Sequence, residues 1–119
     1  MSRHTRRRAA DDVALRASAP IFAALGDGTR LRIVGRLSAD GPTSIARLTE
    51  GAGVTRQAVA KHLRVLSDAG LVRGEYVGRE SIWALQRQRL NQARQALDAI
   101  EAQWDRALGK LKAFVESGH

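Results

Sequence analysis

The C-terminal stretch of the chain is the hardest part to fit into a small domain. Over residues 88–116 no proline interrupts, and Leu90, Ala93, Leu97, Ile100, Trp104, Leu108, Leu111 and Val115 recur at intervals of three and four. That is the period of one helix face, close to a heptad seam. A helix of this length runs roughly 40 Å. A chain of 119 residues forms one domain with a modest core, and the text before this helix is too short to cover its whole apolar stripe. A second copy of the chain is therefore expected against it, with Leu90, Leu97, Ile100, Trp104, Leu108 and Leu111 at the interface.

The other end reads differently. MSRHTRRR is basic and lacks apolar periodicity, so residues 1–10 are expected to be a disordered arm. Residues 11–119 form the domain proper. Asp11 and Asp12 suit a helix start, and Val13, Leu15 and Ala17 follow. Pro20 is expected to open a fresh helix, since proline is tolerated in a first turn and not inside. Gly26-Asp27-Gly28 breaks it, and Asp27 can cap a helix carrying Leu31, Ile33, Val34 and Leu37. After Asp40-Gly41-Pro42, Thr43 or Ser44 caps a short helix with Ile45 and Leu48 facing inward.

Gly51-Ala52-Gly53 then turns the chain into GVTRQAVAKHLRVL. Thr55 suits the N-cap, with Val54 and Val59 placed as a hydrophobic staple. Val59, Leu63 and Leu66 mark the buried face, which leaves Arg56, Gln57, Ala60, Lys61 and Arg64 outward. Gly70 ends this helix, and two short antiparallel strands follow around Val77-Gly78-Arg79. Two short helices across a glycine turn, the second capped and polar outward, form a helix-turn-helix. In that motif the second helix presents its first turn to base edges in the major groove. Arg56 can pair with guanine O6 and N7, and Gln57 with adenine N6 and N7. Lys61 and Arg64, farther along, suit phosphates, and Thr55 can cap and touch phosphate together. The hairpin adds a wing, with Arg73 at its base and Arg79 at its tip.

Composition agrees with a polyanionic partner. The formal net charge is +8 and the pI near 11.4, and lysine and arginine that neutralise phosphates gain from counterion release. There is no cysteine, which removes disulfides, thiolate metal sites and cysteine nucleophiles. No apolar run approaches the roughly 20 residues of a membrane span, and no apolar segment follows the N-terminal arginines as in a secretory signal. A cytoplasmic protein without membrane partner is expected. No catalytic constellation or nucleotide fingerprint is visible, so an enzyme is not expected.

The order of these residues resembles the ArsR/SmtB family of winged-helix transcriptional regulators. The matching text runs from FAALGDGTRLRIVGRL through TRQAVAKHLRVLSDAGLV to VGRESIWAL, and WDRALGKL in the last helix resembles a metal-independent branch. The resemblance implies a mainly α fold with a small β-hairpin: a winged helix-turn-helix with a long C-terminal dimerisation helix. It also implies a homodimer paired through the first and last helices, which binds a dyad-symmetric operator on double-stranded DNA and usually represses transcription. The family's reading positions fall here on Thr55, Arg56, Gln57, Ala60 and Lys61.

Three positions depart from the family pattern. Gly28 stands where a proline is common, and Thr49 where a small alanine is. The metal ligands are missing: the helix before the turn reads TSIARLTEG, and the last helix offers Asp98, Glu101 and Asp105 with no histidine before His119. Those carboxylates read as a solvated face, so no metal or other cofactor is expected. An effector or a protein partner stays open. His62 is expected to pack at the core edge or touch phosphate, Trp83 to join the strand core and Trp104 the dimer seam. A winged-helix protein-interaction module and a low-specificity architectural DNA binder are the competing readings.

Overall fold

Among the described residues, thirteen apolar side chains from α1 through α5 are buried, and Leu48, Val59, Leu63, Leu66 and Leu71 are sealed completely. The computed structural model describes residues 3–118. In chain order its elements are α1 (Arg3–Leu25), α2 (Gly28–Asp40), β1 (Thr43–Ser44), α3 (Ile45–Thr49), α4 (Arg56–Asp68), β2 (Val72–Val77), β3 (Glu80–Leu85) and α5 (Arg87–Glu116). The mainly α winged helix-turn-helix with its long last helix is the fold expected. The sheet is antiparallel in the order β1-β3-β2.

Local chemistry sets most of the boundaries. Asp27 caps α2 by accepting the Arg30 amide at 3.0 Å, Ser44 caps α3 through the Arg47 amide at 3.2 Å, and Thr55 caps α4 through the Ala58 amide at 3.1 Å. Each satisfies an amide that a helix start otherwise leaves unpaired. At the far end of α4, Leu71 N donates to Leu66 O at 2.9 Å and Gly70 N to Ser67 O at 2.9 Å. This is a Schellman closure with Gly70 at φ +76°, and it turns the chain directly into β2.

In the hairpin, Val72 pairs with Leu85 and Val77 with Glu80, and Gly78 takes φ +65°, as the first residue of a two-residue turn requires. Gly74 lies opposite Trp83. A Cβ there would stand 2.8 Å from the indole ring, so the ring rests on bare backbone while its Nε1 donates to Ser81 Oγ at 3.0 Å.

Several expectations need correction. Pro20 does not open a helix; it lies inside α1. The carbonyl that the missing proline N–H would have paired belongs to Arg16, an exposed residue, while buried Ser18 before the proline and buried Ile21 and Ala24 after it hold both halves in place. Tertiary packing overrides the local penalty. The basic segment is helical from Arg3 onward, not a disordered arm. It continues a helix that runs against α5, where Gln103 Nε2 donates to Asp11 Oδ2 at 3.1 Å; Met1 and Ser2 of the expected arm lie outside the described residues. Strand β1 was not expected: Thr43 and Ser44 pair with Trp83 and Ile82, which adds a third strand. Leu31 is not part of the buried face of α2 but 54% exposed. Val54 is 37% exposed, so the staple it was expected to form with Val59 is not sealed.

The last helix also divides. Leu90 packs on the core of its own chain and Ala93 is buried within it. Beyond them Leu97, Ile100, Trp104, Leu108 and Leu111 stand 50, 45, 62, 45 and 59% exposed. The molecule extends 69 × 30 × 20 Å with a radius of gyration of 19.7 Å, against roughly 13–14 Å for a compact chain of this length. The excess is the antiparallel pair of α1 and α5, which projects from the packed head.

Candidate nucleic-acid interface

Helix α4 is fixed by its inner face. Val59, Leu63 and Leu66 are fully buried, which leaves no freedom in the rotation of the helix and turns Thr55, Arg56, Gln57, Lys61 and Arg64 to solvent. Ala60 departs from expectation: it is half-buried against the core. It sits between the outward and inward stripes, and a small side chain there keeps the helix surface low beside Gln57, Lys61 and Arg64.

Arg56 and Gln57 occupy the first two positions after the cap. Arg56, Lys61, Arg64, Arg73 and Arg79 make no ion pair with any described residue, so an incoming anion meets no internal competitor. The wing is less basic than its arginines suggest. Arg73 and Arg79 are exposed, but so are Glu75 and Glu80, and alternation puts Arg73 and Glu75 on one face of β2. The hairpin also exposes Tyr76 at 82% and Val77 at 60%. Tyr76 lies in β2 and is an aromatic surface on the wing.

The scaffold behind α4 is polar, and sequence reasoning missed it. Arg30 donates through Nε to Ala24 O and through Nη2 to Ala23 O at 3.5 Å, which caps the end of α1. Its Nη1 lies 3.3 Å from His62 Nδ1 on α4. A guanidinium only donates, so this contact is a hydrogen bond in the tautomer that leaves Nδ1 without a proton. Asp27 Oδ2 is 3.9 Å from the same Nδ1. The Asp27 carboxyl is held below its usual range, chiefly by the Arg30 amide, with the Arg30 guanidinium and His62 adding to it and burial opposing. His62 thus packs at the core edge, as expected, and ties α4 to the start of α2.

Comparison with known proteins agrees with this geometry. A family model described as "Helix-turn-helix domain" matches residues 25–75. The chain is 38% identical to the HTH-type transcriptional regulator Rv2034 of Mycobacterium tuberculosis over 94 residues, 79% of this chain and 84% of that one. It is 37% identical to the arsenical resistance operon repressor of Bacillus subtilis over 70 residues, 59% of this chain and 67% of that one. An ArsR-like transcriptional regulator from Rhodococcus sp. RHA1 superposes with a TM-score of 0.73 at 38% identity, covering 83% of this chain and 92% of that one. The chain belongs to the ArsR family. It is a transcriptional regulator with a helix-turn-helix DNA-binding domain, and not an enzyme. Among the described residues of this ArsR-family chain, no group of three or more His, Cys, Asp or Glu side chains is placed to hold a metal ion, and no helix is long and apolar enough to cross a membrane.

Proposed function

We propose that this regulator is a cytoplasmic homodimeric repressor that reads a dyad-symmetric operator with the first turns of α4. The observation that carries the reading is the pairing of a buried, rotationally fixed inner face with exposed Arg56 and Gln57 directly after the Thr55 cap. Those two side chains stand where a recognition helix meets base edges. Lys61 and Arg64 extend the same surface and supply phosphate contacts, with Arg73 and Arg79 reaching the backbone from the wing. Ala60 contributes closeness of approach.

The dimer rests on Leu97, Ile100, Trp104, Leu108 and Leu111, an exposed apolar series along α5 of the kind that marks a protein–protein contact. A second copy covers it and sets two reading helices on one duplex. Repression is the activity named for the relative from Bacillus subtilis, and occlusion of a promoter by a bound dimer is its simplest physical form.

The test is fluorescence anisotropy on the duplex upstream of the protein's own gene and on a scrambled duplex, near physiological salt. A preference of about a thousandfold or more, with two chains per site, supports the reading. Equal and steeply salt-dependent binding to both, persisting after selection from random DNA, points to an architectural binder. No binding to any duplex points to a protein-interaction module.

A further inference from the structure

The link between the two helices of the reading motif is short of restraints of its own. Between α3 and α4 the chain passes through Gly51 at φ +67° and Gly53 at φ +71°, both in a region where glycine is freest. The backbone hydrogen bonds holding this connection are Glu50 N to Arg47 O at 3.2 Å and Ala52 N to Thr49 O at 3.1 Å. Helix α3, Ile45–Thr49, is so short that its last carbonyls have no helical donors. Val59, Leu63 and Leu66 set the rotation of α4 about its own axis, but the turn itself does little to fix where its first residues begin.

Two arginines of α2 supply what the turn lacks. Arg32 and Arg36 are four residues apart and so share one helix face. Arg36 Nη1 donates to Arg47 O at 2.7 Å and to Glu50 O at 3.1 Å. Arg32 Nη2 donates to Gly51 O at 2.8 Å. Three carbonyls, from the end of α3 to the first glycine of the turn, are thereby fastened to α2. The guanidinium is suited to this, because its planar fork fixes direction as well as distance, whereas an ammonium acts as a point donor.

We infer that Arg32 and Arg36 are positioning residues for DNA reading, which hold the α3–α4 turn so that Arg56 and Gln57 arrive at the bases in one orientation. This rests on the proposal that the first turn of α4 reads base edges. Both side chains are also basic and reach solvent, Arg36 to 25%, so a plain phosphate contact is the competing role. The two roles leave different signatures. A phosphate contact contributes to affinity for every sequence and about 0.9 to the salt slope. A positioning residue alters the preference between sequences and leaves the slope alone.

The experiment compares the wild type with Arg36→Gln, Arg32→Gln, Arg36→Lys and the reading-face control Arg56→Ala. Each is titrated on the duplex selected from random DNA and on a scrambled duplex, across a salt series, with its Tm recorded. The expected result is a fall of about tenfold in the preference ratio for Arg36→Gln and less for Arg32→Gln. The salt slope and the scrambled-duplex affinity stay unchanged, and Arg36→Lys recovers part of the ratio. Equal losses on both duplexes with a shallower slope overturn the inference in favour of phosphate contact. A lowered Tm with an unchanged ratio overturns it in favour of a structural role alone. Should a variant unfold in the titration, amide exchange under native conditions decides: faster exchange at Glu50 and Ala52, the bonded amides of the turn, with Leu63 still protected supports the clamp, and uniform loss overturns it. A wild type with no preferred duplex removes the base-reading proposal and this inference together. If Arg56→Ala lowers the ratio while Arg36→Gln and Arg32→Gln do not, the reading stands and the clamp alone fails.

Discussion

The head, residues 26–85, and the pair formed by α1 and α5 treat their side chains in opposite ways. In the head, the central apolar residues are sealed, with exposed ones such as Leu31, Tyr76 and Val77 at its surface, and its capping side chains are satisfied within the chain: Leu48, Val59, Leu63, Leu66 and Leu71 are fully buried, and α2, α3 and α4 carry side-chain caps. In the α1–α5 pair, Val13, Ile100, Trp104 and Leu111 face water at 68, 45, 62 and 59%. Charge divides as well. Over the whole head, nine basic residues from Arg30 to Arg79 exceed six acidic ones from Asp27 to Glu80 by three, while Arg3, Arg6, Arg7 and Arg8 stand together with no acid among them. The net charge of +8 is therefore not a property of the reading helix. The core of the head draws Ile21 and Ala24 from α1 and Ala93 from α5, whereas the far part of the projecting pair leaves its apolar side chains in water.

The sharpest way to break this comparison is to attack each half at its centre. Leu63→Ala removes a side chain with no exposed surface and should cost about 2–5 kcal/mol of stability, read by urea denaturation. In a small domain that is a large share of the total. Leu108→Glu, in the projecting pair, should leave the head folded and separate the dimer, seen as a halved mass in sedimentation. Operator affinity should then fall about a hundredfold or more, because two linked half-sites no longer reinforce each other. A monomer that keeps full operator affinity would refute the proposed arrangement.

A smaller effect isolates the wing. Gly74→Ala puts a methyl 2.8 Å from the Trp83 ring, and overpacking of this kind costs about 1–3 kcal/mol. The ring must leave its place, so a change in Trp83 fluorescence should accompany the loss. The charge division gives a further test. Lys61→Gln should lower the salt slope on an operator-length duplex by about 0.9. Arg6→Gln with Arg7→Gln should leave it unchanged, since Arg7 lies beside α5 near Trp104 and Lys110, about 25 Å along the helix from Ala24. An equal drop from both changes would erase the division between the two regions.

What the sequence displayed was whatever local chemistry decides. Thr55 before an amphipathic run, Gly70 after it and Val77-Gly78-Arg79 between two apolar stretches each carry their own signal within a few residues, and the reading helix and wing stand where those signals put them. What it concealed depends on neighbours distant in the chain. Pro20 reads as a helix start until Ile21 and Ala24 are seen to be packed, and Thr43 becomes a strand residue only because Trp83 lies opposite. Leu90 and Leu108 look alike in a heptad pattern, yet Leu90 packs on its own core and Leu108 is 45% exposed. Nothing in the text around Arg32 signals its role, because its carbonyl partner is Gly51, nineteen residues on.

The least of the expected effects lies at the joint between the two regions. Asp27 caps α2 just after α1 ends, and its carboxyl titrates below the ordinary 3.8, mainly through the Arg30 amide. A carboxyl with a depressed folded-state pKa adds stability that is present in full above its unfolded value and is lost as pH falls through the folded one. At neutral pH, Asp27→Ala should therefore have a lower Tm than the wild type, and the gap should close on acidification below pH 3.8. Asp27→Asn keeps a side-chain acceptor for the Arg30 amide but carries no charge, so its deficit should be smaller than that of Asp27→Ala and should shrink by a similar amount over the same range, because the titrating group in both comparisons is the wild type's carboxyl. If the Asp27→Ala gap stays constant down to pH 2, the cap does not depend on the ionised carboxylate, and the joint is held by Arg30 and the packing of Ala24 instead.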